Sequence, residues 1–100
     1  MNRQEYLLTC LAEECAEVQK LVSKSLRFGL QHKWADSGPG TNQRKICEEI
    51  GDICAIATML EADGAPVRLT YAELVKHLKK KTAKVERNMK FSRKTGCLND

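Results

Sequence analysis

Four carboxylates stand where a folding helix would ordinarily place something else. Between residues 3 and 28, steps of four and three trace Leu7, Leu11, Glu14, Val18 and Leu21, and the middle of this otherwise apolar line is a glutamate. Glu17 follows three residues later, on the same side of a helix. A second line, Ile46, Glu49, Ile53, Ile56 and Leu60, has the same interruption, with Asp52 three residues beyond Glu49. Gly51 lies beside Asp52, and both are poor helix formers, Gly by about 1 kcal/mol relative to Ala. Two pairs of carboxylates on core lines repel one another unless protons or a cation intervene. A hard divalent cation suits them: Mg²⁺ takes oxygen ligands, keeps some water and also binds substrate phosphates. Zn²⁺ suits them less, because His32 and His77 lie far away in sequence and no cysteine pair has the C-x-x-C spacing. The plainer alternative is a solvated acidic face, with Glu17 paired to Lys20 and Glu48 and Glu49 beside Lys45.

Cations complement this arrangement. Lys24 lies seven residues after Glu17, so it points the same way two turns on, and Lys24 or Arg27 can meet a phosphate tail or simply complement the helix end. In the last third of the chain the line Tyr71, Leu74, Leu78, Lys81, Val85, Asn88 carries two polar residues. Lys81 can hold a phosphate oxygen and Asn88 can hydrogen-bond a base or a carboxylate. The other cations there, Lys84 included, wind around the helix as expected of a solvated surface. Residues 1–60 carry seven Lys/Arg and eight Asp/Glu, and residues 61–100 carry ten and five. Acid thus dominates one part and base the other, which fits a polyanion held between metal and basic side chains.

Three helices must position these groups. The first is expected over Arg3–Phe28, ending at Gly29. A loop follows over 29–41, punctuated by Asp36-Ser37-Gly38-Pro39-Gly40. The second starts at Thr41 or Asn42, either of which can cap it, and ends at Asp63-Gly64 ahead of Pro66. The third opens on Thr70-Tyr71-Ala72-Glu73, a capping-box pattern, and runs to about Arg93. Period-2 alternation is absent, so the fold class is all-α: one domain over residues 1–93, with 94–100 a frayed tail. Three helices in 100 residues make a thin core, and a four-helix-bundle-type core completed by oligomerisation, as dimer or tetramer, buries more.

Composition removes other classes. With 42% hydrophobic and 30% charged residues the chain is globular rather than disordered. Neither a membrane-spanning run nor a secretory signal is legible, and the five cysteines read as free thiols in a reducing cytoplasm. Five aromatic residues are few for stacking on single-stranded nucleic acid.

The ordered pair Glu13-Glu14-Cys15-Ala16-Glu17 and Glu49-Ile50-Gly51-Asp52 resembles the E-E-x-x-E and E-x-x-D motifs of the MazG-like nucleoside triphosphate pyrophosphohydrolases, members of the all-α NTP pyrophosphatase superfamily. The flanking stretches 11–29 and 42–60, and Lys81-Thr82-Ala83-Lys84-Val85-Glu86-Arg87-Asn88, look similar to short members of that family, phage-encoded ones among them. The resemblance implies Mg²⁺, with Mn²⁺ as a substitute, held by Glu14, Glu17, Glu49 and Asp52. It implies hydrolysis of a nucleoside triphosphate to monophosphate and pyrophosphate, in the service of nucleotide clean-up. Glu13, Glu14 or Glu48 would then act as general base, and Lys24, Arg27, Lys45, Lys81, Lys84 and Asn88 would bind substrate. Trp34 is a candidate for stacking on the base or for capping the end of the bundle. Two other readings compete: a basic helical module for nucleic acid, and an inactive interaction protein of the same fold.

Overall fold

A computed structural model describes the whole chain, Met1–Asp100. It is all-α: α1 spans Arg3–Phe28, α2 Asn42–Ala62 and α3 Tyr71–Lys94, with no sheet. Each start has a capping side chain. Asn2 accepts from the Glu5 amide, Thr41 from the Arg44 amide, and Thr70 and Glu73 form the reciprocal capping box. Of the two expected caps for α2, Thr41 is the one used, which leaves Asn42 free for another purpose.

The ends are as local in origin as the starts. At α2, the Ala65 amide bonds to the Leu60 carbonyl and the Gly64 amide to that of Glu61, a Schellman pair that needs Gly64 at φ 86°. The same pair closes α3, from Cys97 to Ser92 and from Gly96 to Arg93. Beyond it Arg93 grips the Asp100 carboxylate with two hydrogen bonds of 2.6 and 2.7 Å. The tail from Lys94 onward, expected to fray, is therefore folded back onto the end of its own helix.

The chain forms two compact units, Met1–Arg68 and Leu69–Asp100. In the first, α1 and α2 form an antiparallel hairpin. Arg3 at the start of α1 meets Asp63 at the end of α2 at 2.6 Å, while Asn42 at the start of α2 meets Gly29 at the end of α1. The core between the helices follows the lines read from the sequence. Leu7 and Leu21 on α1 and Ala57 and Leu60 on α2 are buried, and Leu11, Val18, Ile46, Ile53 and Ile56 are half-buried between them. In the second unit α3 buries none of its residues. Its apolar stripe, with Leu74, Leu78 and Met89, is exposed, so Lys81 and Asn88 occupy no core line within the chain.

Candidate active site

Glu14 is the third of five positions on its line and Glu49 the second on the other, and because those lines face each other the carboxylates do too. One oxygen from each of Glu14, Glu49 and Asp52 lies within 4.8 Å of the others. Glu14 and Glu49 are half-buried, and Asp52 is exposed. The Glu49 Oε2 atom is buried and has no hydrogen-bond partner. Two carboxylates are both acceptors, so Glu14 and Glu49 can bond only when one carries a proton. That shared proton, then burial, then the charges of Glu14, Asp52 and Glu17 push the Glu49 carboxyl up to about 7. A buried oxygen without a donor, flanked by two further carboxylates, is a donor set that fits a hard divalent cation. Glu17 lies outside this group of three, yet close enough for its charge to act on Glu49. No steric demand calls for Gly51 at its mid-helix place: a Cβ built there would meet nothing within 4 Å.

Beside the carboxylates opens a cleft of about 410 Å³. Its walls come from α1 (Glu17, Lys20, Leu21, Lys24), the loop (Trp34, Ser37, Pro39) and the start of α2 (Lys45, Glu48, Glu49). Glu49 therefore belongs both to the carboxylate group and to the cleft. Three lysines and three glutamates share a few turns of two helices, an arrangement that can hold an anion and its counter-cation together.

The loop is shaped by one residue. Asn42 is fully buried, at 0% exposure. Its amide nitrogen donates to the Gly29 carbonyl at 3.0 Å, and its Oδ1 accepts from the Trp34 indole at 3.0 Å. The Asn42 and Gln43 amides also donate to the carbonyls of His32 and Leu30, and an isolated bridge joins Lys33 to Thr41. Trp34 packs edge-to-face with Phe28, at 5.0 Å and 87°, and with His32, at 4.4 Å and 73°. The Lys24 ammonium lies 5.1 Å from the Trp34 ring centroid. On the other wall Lys45 donates to the Ser37 carbonyl and hydroxyl at 2.8 and 2.6 Å.

The structure brings some of the sequence candidates together and leaves others apart. Glu17, Lys24, Lys45 and Glu48 line the cleft with Glu49, and Glu48 is also paired with Arg44 at 3.3 Å. Glu13 is exposed and is not part of the wall, and Arg27 lies against the Phe28 ring at 5.1 Å. Lys81 and Lys84 line a groove on α3 itself, of about 430 Å³, with His77, Lys80 and Arg87; Asn88 is exposed on the same helix. Three wall-forming or wall-shaping residues escaped the sequence reading. Lys20 was legible only as a partner for Glu17, although it stands four residues before Lys24 on the same helix face. Asn42 was legible only as a cap, and its redundancy with Thr41 was the available signal. Ser37 carried no signal beyond its place in a loop.

No family model, curated protein or solved structure matches the chain.

Proposed function

We propose that the chain is a Mg²⁺-dependent nucleoside triphosphate pyrophosphohydrolase of the MazG-like type, acting in the cytoplasm as a homo-oligomer. The observation that carries this reading is the group Glu14, Glu49 and Asp52, with its orphaned Glu49 oxygen, opening onto a cleft lined by Lys20, Lys24 and Lys45. Glu14, Glu49 and Asp52 would hold the cation, Mg²⁺ or in its place Mn²⁺, with Glu17 at its margin. When bound, it offsets charge on the phosphates and acidifies a water.

The chain's own residues do the rest. Lys20, Lys24 and Lys45 bind the phosphate chain through charge-assisted hydrogen bonds. Glu48 lines the cleft and stands outside the group of three carboxylates; Arg44 engages its Oε1, and its second oxygen is the one offered to the proton of the attacking water. Water adds to the α-phosphorus, the bond from that phosphorus to the bridging oxygen breaks, and pyrophosphate leaves with the bridging oxygen.

Product analysis tests the reading. Canonical and modified NTPs and dNTPs incubated with Mg²⁺ should yield monophosphate and pyrophosphate, with no orthophosphate at early times. Diphosphate and orthophosphate as first products would place the attack at the γ-phosphate and refute it. No turnover on any nucleotide would favour an inactive interaction protein of the same fold.

A second reading has one observation in its favour. Residues 69–100 carry nine Lys/Arg against three Asp/Glu, and His77, Lys80, Lys81, Lys84 and Arg87 share one groove on α3. A nucleic-acid-binding helix of this kind predicts steeply salt-dependent binding that needs no Mg²⁺.

A further inference from the structure

We infer that Trp34 is a positioning residue: its indole holds the Lys24 ammonium at the cleft wall where a phosphate chain docks, and it does not stack on the nucleobase. The inference rests on the hydrolase reading for the nature of the ligand, and on the contacts around Trp34 for the role.

The indole is fixed in orientation. Its Nε1–H donates to Asn42 at 3.0 Å, and Phe28 and His32 meet it edge-to-face at 5.0 and 4.4 Å. Asn42 is fully buried and tied to Gly29, so swinging the ring would leave the Asn42 Oδ1 without its donor. An aromatic platform for a base needs an open face. Here Lys24 lies over the ring, 5.1 Å from its centroid, and both side chains line the cleft.

A lysine held this way is useful to an anion. Lys24 is a long, flexible side chain, and an ammonium over a ring face has three donors, not all of which the ring can engage. The attraction confines the charge near the cleft and leaves donors over, so a phosphate oxygen can still receive them. Lys45 is placed on the opposite wall by two hydrogen bonds to Ser37. The loop thus sets two cleft lysines by different means, and neither means touches a base.

The test uses the chain's single tryptophan as its own reporter. Tripolyphosphate, which has no base, is titrated in the presence of Mg²⁺, with Mg²⁺ alone as the control. The expected result is a saturable change in Trp34 emission that Lys24→Met abolishes, with affinity, read by isothermal titration calorimetry, falling about threefold to tenfold. Trp34→Leu, which removes the reporter and is therefore read by isothermal titration calorimetry, should weaken tripolyphosphate and NTP by the same factor. Weakening of the NTP alone would restore the stacking role and overturn the inference. So would a Lys24→Met chain that keeps the parent's emission change and affinity; because that substitution removes no core contact, it decides the matter even if Trp34→Leu fails to fold. The two proposals can fail separately. Tripolyphosphate binding through Lys24 without any nucleotide cleavage upholds this inference and sinks the hydrolase, and cleavage with unmoved emission does the reverse.

Discussion

Raising the pH through neutrality without divalent cations should loosen the α1–α2 hairpin, and Glu49 is the reason. Its carboxyl titrates at about 7 instead of 4.5, chiefly through the proton it shares with Glu14, then through burial and the nearby charges of Glu14, Asp52 and Glu17. The folded chain therefore holds this proton more tightly than the unfolded chain does. The stabilisation is complete below about pH 4.5 and is lost as the pH rises through about 7. Holding a proton from 4.5 up to about 7 corresponds to about 3 kcal/mol. Water around the exposed Asp52 and Glu17 screens part of this, leaving about 2 kcal/mol. The part lost between about pH 5.5 and 8.5 is about 1 kcal/mol, a fall in Tm of about 4–8 °C in a domain of this size. Thermal unfolding followed by circular dichroism, at about pH 5.5 and about pH 8.5 with a chelator present, measures it. Mg²⁺ should restore most of the loss at the higher pH and little at the lower, because the cation replaces the proton. Glu49→Gln keeps the size and adds a donor toward Glu14, so its melting should be insensitive to both pH and Mg²⁺ over this range. If Glu49→Gln fell with pH as steeply as the parent, the loss would belong to other groups and the reasoning would be refuted.

The remaining expectations are simpler. Asp52→Asn should cut pyrophosphate release at least about a hundredfold while leaving the helical circular dichroism unchanged, since it removes a cation ligand from an exposed position; near-normal turnover would remove Asp52 from the site. Asn42→Ala leaves the Gly29 carbonyl and the Trp34 indole without their partner, and urea unfolding should report a loss of about 2–4 kcal/mol. Analytical ultracentrifugation at micromolar concentration should find a homo-oligomer that covers the exposed stripe of α3; a folded, fully active monomer would contradict this.

How much of this was legible in the sequence depends on how far each feature reaches along the chain. Helix ends were legible because their causes are local: Thr41, Thr70 with Glu73, and Gly64 all act within a few residues of themselves. The carboxylate group was legible for a less direct reason. Glu14 and Glu49 each interrupt an apolar line, one helical step apart when the lines run antiparallel, and packing the lines together brings the interruptions within reach of each other. The exclusion of Glu17 from the tight group was not legible, since a step of three residues places it beside Glu14 on the helix without fixing its distance from α2. The Asn42–Trp34–Lys24 chain of contacts was hidden as well. It requires the loop to fold back over thirteen residues, and no local pattern marks the return. For α3, amphipathic periodicity identified the stripe correctly but carried no information on what covers it.

The order in which the hairpin can close follows from chain distance. Asn42 reaches Gly29 across 13 residues, whereas Arg3 reaches Asp63 across 60. Closing the longer span first would cost about 1.4 kcal/mol more in chain entropy. The loop knot around Asn42 is thus the cheapest long-range contact to make, and the helices zip from it toward the chain ends. Glu14 and Glu49 meet partway, so their repulsion is encountered only after the knot exists. Asn42→Ala should then slow folding, and Arg3→Ala should mainly speed unfolding. A cation held by these carboxylates, as proposed, would act on the second half of closure, as a clasp set in the middle of a zipper.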